Sequence, residues 1–197
     1  RKMSLSSAEI AKVSLNAYIT MKISFANNLA NICERWSGSN IDDITSAIGL
    51  DKRISPYYFK GGMSFGGTCF PRDTFAFNFI TKKVGLPTDL FDSVERINRY
   101  QDKHLCDMVL MELEKISNTN IIILGLSFKV GTSVIKESVG IKLINNLLKK
   151  NTGLNIIVSD PLSLSEAEQL YGDKIQYLVN STDALGKGEL IILINQE

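Results

Sequence analysis

The chain has 197 residues, of which 44% are hydrophobic and 22% are charged, and its formal net charge is +1. This balance is typical of a globular protein with one large or two small domains, and the near-neutral charge gives no support for binding to nucleic acid or to a membrane surface. No apolar run reaches the about 20 residues that a membrane helix needs, and we expect neither a signal peptide nor a membrane anchor but a cytoplasmic protein.

The cysteines are few and far apart. Cys33, Cys69 and Cys106 form no CxxC pair, and His104 is the single histidine of the chain. Such sparse cysteines predict a reducing compartment, no disulfide framework and no metal site. A catalytic couple of the Cys/His type would have to use His104.

The first half of the chain is predicted to be helical. A first helix opens at Ser6 and Ser7, with Glu9 in its first turn as part of a cap. Its apolar positions step by three or four residues, as in the stripe of an amphipathic helix; they are Ile10, Val13, Ala17, Met21, Phe25, Leu29 and Ile32. A second, short helix follows in residues 40–50, with Asn40 or the Asp pair near its start.

Two further helices flank a loop. Residues 51–70 are rich in glycine and aromatic residues and are predicted to be loop. Pro71 suits the first position of a third helix, which makes Phe70 the cap and leaves Cys69 just outside. The "GLP" at 85–87 ends that helix. A fourth helix then runs to about Lys115.

The pattern changes after residue 117 to short apolar strands that alternate with helices. The strands are "NIIILGLSF", "LNIIVSDP" and "ELIILIN", and the helices between them are "ESVGIKLINNLLKK" and "SEAEQLYG". Alternation of this kind indicates βαβ units and a parallel sheet. We therefore predict an α/β protein with an all-helical domain over 1–117 and a Rossmann-like domain over 118–197. We expect the chain to be truncated at both ends.

Cys69 is the candidate nucleophile. It lies in "GGMSFGGTCFPRDTFAF", where a helix start and its unpaired N–H groups favour the thiolate form. Gly66 and Gly67 leave room for a substrate carbon and supply backbone donors for a developing oxyanion, and Asp73 in the first helical turn is near enough to orient a water. An isolated cysteine is more often structural; the glycines and the Pro-x-Asp favour function.

Lys12 and Asn16 are the second candidate pair. They are four residues apart, so they lie on one face of the first helix. A cationic donor beside an amide suits an oxyanion or alkoxide. The commoner reading of such a pair is a solvated lysine with a surface asparagine.

Three segments resemble the UDP-glucose/GDP-mannose dehydrogenase family. They are "AEIAKVSLNAYITMKISFANNLANICE", "RISPYYFKGGMSFGGTCFPRDT" and "GLSFKVGT…KES", and the resemblance to the family's central and C-terminal regions covers nearly the whole chain. "FGGTCFPRD" is close to the family signature GFGGSCFPKD and is highly specific. The family oxidises the C6 alcohol of a nucleotide sugar to a carboxylate with two NAD molecules.

The resemblance implies a role for each of four residues. Cys69 is implied to form a thiohemiacetal with the aldehyde intermediate, whose oxidation gives a thioester. Lys12 and Asn16 match the pair that steadies the negative oxygen, and Asp73 matches the carboxylate that positions water for thioester hydrolysis. These roles are chemically consistent. Hydride can leave only from a tetrahedral carbon, and the negative oxygen on that carbon needs hydrogen-bond donors.

The resemblance also implies substrate contacts. Arg53 matches an arginine that reaches the sugar nucleotide across a dimer interface formed by the central helices. Phe128 and Lys129 match the residues that meet base and phosphates at the end of the first strand, where open parallel sheets bind ligands. The loop contacts implied along the nucleotide are Tyr58, Lys60, Gly61, Phe65 and Gly66.

NAD is the implied cofactor, bound mainly by the family's N-terminal Rossmann domain. "ILGLSF" has only Gly125 and is not a dinucleotide fingerprint, so we assign no cofactor-binding residue here and expect the chain alone to be inactive.

Several departures from the family pattern bear on the substrate. Ser64 replaces a family glycine, and "TDDxRES" appears as "TSVIKES", with Ser133, Val134 and Lys136 altered. We favour UDP-glucose 6-dehydrogenase chemistry, with GDP-mannose or UDP-N-acetylhexosamine 6-dehydrogenase as alternatives. A non-catalytic module for nucleotide binding and oligomerisation is the alternative from a different class.

Overall fold

The computed structural model describes residues 2–116, 119–150, 153–188 and 190–194. The chain divides into two compact units, residues 1–101 and 102–197. The domain boundary that we predict near residues 117 and 118 falls on positions outside the described residues. The structural division lies earlier, inside the fourth helix.

The first unit is helical, as predicted. It contains α1 (Leu5–Cys33), α2 (Ile41–Gly49), α3 (Phe70–Lys83) and the beginning of α4 (Asp89–Ile116). Asn40 caps α2 through its side chain, as expected. The predicted cap of α1 at Ser6 and Ser7 is wrong, because the helix begins one turn earlier and Ser4 accepts the Ser7 N–H.

The buried face of α1 is polar and small, which corrects the predicted apolar stripe. Ala17 is buried, but Ile10, Phe25 and Ile32 are about half exposed. The residues that α1 does bury are Ala17, Thr20, Ser24, Ala26, Asn27, Ala30 and Asn31. Their polar groups bond mostly to other elements of the unit: Ser24 to the Val94 carbonyl, Asn27 to the Met63 carbonyl and Asn31 to Gln101. The helix therefore packs closely on its neighbours without an apolar seam.

The second unit is built on a parallel sheet. Its strands are β1 (Asn120–Leu124), β2 (Asn155–Ser159), β3 (Gln176–Tyr177) and β4 (Leu190–Leu193), and its helices are α5 (Val139–Lys149), α6 (Leu164–Tyr171) and α7 (Ser181–Leu185). Among the described residues the strand order is β3-β2-β1-β4, and each pair is parallel. The central strands are almost wholly apolar, as expected of a sheet covered on both faces.

Two elements of this unit were not predicted. β3 has two residues and α7 has five, too few for a periodic pattern to appear. The predicted strand over 189–195 is confirmed for Leu190–Leu193, while residues 189 and 195 lie outside the described residues. From β1 the chain continues to β2 and β3 on one side of β1, and it then returns to place β4 on the other side. The strand order therefore reverses between β1 and β4, which is where open parallel sheets bind ligands.

The second half of α4 packs with the sheet unit. The Lys142 ammonium lies 3.3 Å from a carboxylate oxygen of Asp102, and that of Lys150 lies 2.9 Å from Asp107. Both aspartates belong to α4, which explains why the structural division precedes the end of this helix. In the described part of the chain, no helix combines the length and apolar character needed to span a membrane.

Candidate active site

Cys69 lies at the start of α3 and is exposed, as the proposed chemistry requires. It is itself the N-cap residue, with Phe70 and Pro71 in the first two helical positions. The predicted cap at Phe70 is therefore wrong by one residue. Gly67 has φ +78°, a conformation that favours glycine, and it turns the chain into the helix just before Thr68 and Cys69.

Asp73 is the most buried charged group of the site. Its side chain is only 3% exposed. Oδ2 accepts hydrogen bonds from the Lys12 ammonium and, at 2.5 Å, from Asn16 Nδ2. Oδ1 accepts a hydrogen bond from Arg72 Nε at 2.9 Å. A buried carboxylate with three donors of this kind is fixed in place.

The electrostatics of Asp73 follow from these contacts. Burial alone would raise the pKa of this carboxyl, but hydrogen bonds from Lys12, Arg72 and Asn16 outweigh it and the pKa lies below its usual value. The pKa of Arg72 is raised, first by its hydrogen bond to Asp73, then by the charge of that carboxylate, and further by Cys69. Arg72 therefore interacts with both the carboxylate and the cysteine.

Lys12 and Asn16 point to one face of α1 and meet α3 there. Both donate to the same oxygen of Asp73. The Lys12 side chain remains 56% exposed, and an ammonium has three donors, so it retains capacity for a further acceptor. One turn further along, Thr20 and Thr74 share a hydrogen bond of 2.9 Å that joins the same two helices.

The structure thus brings three of the four predicted catalytic residues into direct contact. Lys12, Asn16 and Asp73 form one hydrogen-bonded group. Cys69 lies one helical turn before Asp73, whose N–H donates to the Cys69 carbonyl at 2.9 Å. Arg72 was not singled out from the sequence, although it stands in the quoted motif between Pro71 and Asp73.

The substrate residues that we predict in the loop differ in their accessibility. Tyr58 and Lys60 are exposed, and the Tyr58 ring lies edge-on to Phe70 at 6.0 Å. Arg53 is exposed and is paired with Asp51 of its own loop. Gly61 lies against α1, where an added Cβ would be 2.6 Å from the Ala26 carbonyl oxygen.

Phe65, a predicted substrate contact, lies in the core of the first unit. Its side chain is 6% exposed and belongs to a buried cluster with Ala17, Phe91 and Val94. Its backbone N–H and carbonyl are both bound by Asn98. The following Gly66 is half-buried.

Lys22 holds the loop that carries the predicted substrate contacts, and the sequence analysis missed it. Its ammonium donates to the carbonyls of Ile54, Ser55 and Tyr57 at 2.9, 3.1 and 2.7 Å. These bonds hold a turn in which Ser55 and Tyr58 adopt positive φ values of 69° and 58°. A lysine at this position gives no signal in the sequence, because its partners are backbone groups more than 30 residues away.

The second unit carries a cleft at the carboxyl ends of its strands. Its volume is about 370 Å³, and residues of the loops after β1 and β2, the segment before α7 and the end of β4 line it. The predicted contacts Phe128 and Lys129 are exposed in the loop after β1, directly before the lining residues Val130 and Gly131.

Asp160 ties the loops of this cleft together. It is 4% exposed and follows β2. Oδ2 accepts from the N–H groups of Leu126 and Ser127 at 2.8 and 3.2 Å, and Oδ1 accepts from those of Leu162 and Ser163, both at 2.9 Å. One carboxylate thus fixes the loops after both central strands.

Two sequence models of the UDP-glucose/GDP-mannose dehydrogenase family match the chain. The central-domain model matches residues 6–100 and the model described as the UDP binding domain matches residues 122–197. The UDP-glucose 6-dehydrogenase TuaD of Bacillus subtilis (strain 168) is 33% identical over 193 residues, which are 98% of this chain and 41% of the relative. The UDP-glucose 6-dehydrogenase AglM of Haloferax volcanii is 33% identical over 192 residues, which are 98% of this chain and 44% of the relative.

Solved structures agree with these matches. A UDP-glucose dehydrogenase from Pyrobaculum islandicum superposes with a TM-score of 0.88 at 31% identity, covering 98% of this chain and 44% of that chain. An NDP-N-acetyl-D-galactosaminuronic acid dehydrogenase from Methanosarcina mazei Go1 shares the fold, with a TM-score of 0.80 at 19% identity. This superposition covers 98% of this chain and 42% of that chain. The chain spans less than half the length of these relatives.

Proposed function

The chain belongs to the UDP-glucose/GDP-mannose dehydrogenase family, and from that premise we propose that it supplies the catalytic and substrate-binding part of a nucleotide-sugar 6-dehydrogenase. The observation that carries this proposal is the placement of an exposed Cys69 one turn before Asp73, whose carboxylate holds Lys12 and Asn16. The substrate class that we propose is a UDP-hexose, in line with the UDP binding domain matched by residues 122–197.

NAD, when bound, accepts hydride from the sugar carbon, and a four-electron oxidation of an alcohol to a carboxylate needs two such acceptors. We propose that its binding region lies outside these residues, since the loop after β1 contains only Gly125 of a fingerprint. The remaining chemistry falls to the side chains of this chain.

The Cys69 sulfur attacks the C6 aldehyde, and a C–S bond forms while the carbonyl π pair moves to oxygen. Lys12 is exposed enough to donate to that oxygen while it keeps its bond to Asp73, and Asn16 has a second amide N–H for the same purpose. The tetrahedral oxygen is stabilised in this way until hydride leaves the carbon and a thioester remains.

Water then attacks the thioester, the C–S bond breaks and the thiolate returns to Cys69. Asp73 is the carboxylate nearest in sequence, and its pKa below the usual value keeps it an acceptor at neutral pH. Lys12 and Arg72 hold it in position for the water. Retention of the aldehyde as a covalent adduct also prevents its escape between the two oxidations.

The exposed face of α1 favours a homodimer through the central helices. Leu15, Tyr18, Phe25 and Ile32 are each about half exposed or more and follow one another along the helix. Trp36, three residues after the end of the helix, is exposed as well. An apolar surface of this kind on a globular unit is typical of an interface. A second copy of the chain is the occupant that we propose, and it would bring Arg53 to the neighbouring site.

Size-exclusion chromatography tests this assembly. We expect the wild-type chain to elute as a dimer and the Leu15→Glu variant as a monomer, since a carboxylate in a closed apolar contact is unpaired. A wild-type chain that elutes as a monomer at all concentrations would remove the dimer from the proposal.

The activity itself is tested by NADH formation. The protein is expressed with the N-terminal dinucleotide-binding domain of the family and is given UDP-glucose and NAD. We expect about two NADH per UDP-glucose consumed, as a four-electron oxidation demands. No NADH with any UDP- or GDP-hexose would end the proposal.

A further inference from the structure

The backbone of the glycine-rich loop before Cys69 is held by side-chain amides rather than by other backbone groups. From α1, Asn27 binds two consecutive residues of this loop. Its Oδ1 accepts from the Gly62 N–H at 2.8 Å and its Nδ2 donates to the Met63 carbonyl at 3.0 Å. Asn27 is fully buried.

From α4, two more carboxamides reach the same loop. Asn98 accepts from the Phe65 N–H at 2.7 Å and donates to the Phe65 carbonyl at 3.0 Å. Gln101 Nε2 donates to the Gly62 carbonyl at 2.6 Å, and its Oε1 accepts from Asn31 Nδ2 at 2.9 Å. Asn98 and Gln101 are 7% and 4% exposed.

These contacts define the backbone conformation of residues 62–65. A carboxamide presents an N–H donor and a C=O acceptor side by side, as one residue of a β-strand does toward its neighbour, so Asn27 and Asn98 act as short pieces of a neighbouring strand. An apolar side chain would cover the loop without fixing which way its peptide groups face. Burial of such amides is favourable only when their partners are in place, which makes the loop conformation specific.

The clamp ends where the proposed chemistry begins. In the part of the chain that the structure describes, the peptide N–H groups of Gly66, Gly67 and Thr68 have no hydrogen-bond acceptor. Gly67 then turns the chain with φ +78° to place Cys69 at the start of α3. The carboxamides therefore determine where the unpaired peptide groups and the cysteine lie.

We propose that Asn27, Asn98 and Gln101 are positioning residues that set the loop from Gly62 to Phe65 and, through it, the location of Cys69. The catalytic part of this proposal rests on the proposed dehydrogenase function, while the structural part does not. Asn98 is the decisive member because it binds both backbone groups of the residue next to Gly66.

The test replaces Asn98 with aspartate. Asn98→Asp keeps the acceptor for the Phe65 N–H and turns the donor to the Phe65 carbonyl into a repelling oxygen. Asn28→Asp is the matched control, because it makes the same change at an exposed asparagine of α1. The readouts on the folded chain are hydrogen exchange at the amides of Gly62 and Phe65, whose N–H groups the carboxamides bind, and the alkylation rate of Cys69. The alkylation rate is resolved by peptide mass spectrometry with Cys33 as the internal reference.

We expect hydrogen exchange at the Gly62 and Phe65 amides of Asn98→Asp to become about tenfold faster or more, since one lost bond to a buried group costs about that ratio. We also expect the alkylation rate of Cys69 to change relative to Cys33, with neither effect in Asn28→Asp. Asn27→Asp, on the other side of the loop, should reproduce the result if Asn98→Asp does not fold. Unchanged exchange and alkylation in a folded variant overturn the proposal, and so does failure of both variants to fold, which would make the network a requirement for folding alone.

The catalytic part of the proposal is tested by steady-state kinetics of the complete dehydrogenase. We expect Asn98→Asp to lower kcat for NADH formation by about tenfold or more, with the KM for NAD unchanged, because a misplaced nucleophile affects the transition state. A wild-type protein that forms no NADH would refute the proposed function and leave the exchange result standing. An unchanged kcat with altered exchange would limit the clamp to loop structure and overturn its catalytic role.

Discussion

Lys12 of α1 and Asp73 of α3 form an ion pair in which the carboxylate is 3% exposed and the ammonium side chain is 56% exposed. The carboxylate is therefore a fixed anchor, and the lysine is the member that still faces solvent. This asymmetry gives the two residues different roles, with Asp73 holding the donors and Lys12 presenting one of them.

We predict that Asp73→Asn slows turnover more than it slows the oxidation steps. Asparagine keeps the shape but cannot act on the attacking water or hold the Lys12 charge, so kcat falls by about 10²- to 10⁴-fold. If thioester hydrolysis is the step affected, a rapid burst of NADH equivalent to the enzyme precedes the slow phase. Asp92→Asn, an exposed carboxylate of α4, is the control. Turnover equal to wild type would remove Asp73 from the chemistry.

We predict that Cys69→Ala abolishes steady oxidation of UDP-glucose to the carboxylate. Without sulfur there is no C–S bond, the aldehyde stays a free carbonyl, and the rate of NADH formation falls by about 10³-fold or more. Cys33→Ala, at a half-buried cysteine of the same unit, should retain activity. Nucleotide binding by the Cys69→Ala variant with normal affinity would show that the loss is chemical, whereas full activity would remove Cys69 from the chemistry.

The sequence predicted the course of the chain well and the contacts poorly, for a physical reason. The caps and breakers of α2 and α3 act locally, so Asn40 and Pro71 mark these helices within one residue. The approach of α1 to its neighbours depends on side chains such as Thr20 and Asn27, which are polar and would be exposed on an isolated helix. Their helical spacing is the one feature in the sequence that indicates a buried polar face.

The candidate site shows the same division. Lys12, Asn16, Cys69 and Asp73 were predicted from a short motif and a helical spacing. The structure brings Lys12, Asn16 and Asp73 into contact and places Cys69 one helical turn before Asp73. The residues that hold the loops, among them Lys22, bind backbone groups, and a backbone group leaves no trace in a sequence pattern. Positions of this kind emerge only when the chain is folded.

We predict that Lys22→Met destabilises the loop of residues 54–57. The variant leaves three carbonyls without their cationic donor, and bonds to a half-exposed charged group of this kind contribute about 1–3 kcal/mol together. The thermal unfolding midpoint should fall by several degrees. Lys52→Met removes an exposed lysine of the same loop and should leave the midpoint within about 1 °C. Equal midpoints for the two variants would contradict the prediction.

We predict that Asp160 contributes to the pH dependence of stability. Burial raises the pKa of this carboxyl, but hydrogen bonds from the N–H groups of Leu126, Leu162, Ser127 and Ser163 lower it below the usual value of 3.8. The stabilisation is therefore present at pH values above about 4 and is lost as the pH falls through the folded-state pKa.

Denaturant unfolding at several pH values measures this contribution. Asp160→Asn should be less stable than wild type at pH 7, and its free energy of unfolding should fall less steeply between about pH 5 and pH 3. Asp183→Asn, at an exposed aspartate of α7, is the control for the loss of one charge. A variant with the slope of wild type in this window would show that Asp160 does not carry the effect.

We predict that UDP stabilises the chain more than GDP does. A ligand that binds only the folded protein raises the free energy of unfolding by RT ln(1 + [L]/Kd), about 2.7 kcal/mol at a hundredfold excess over Kd, so the thermal midpoint reports relative affinity. Equal concentrations of the two nucleotides keep charge and phosphate contacts the same and leave the base as the difference. If Lys129 binds the phosphates as we propose, Lys129→Ala should reduce both shifts, because either nucleotide has them. A larger shift with GDP would assign the chain to the GDP-mannose branch, and no shift with either would place the nucleotide contacts outside these residues.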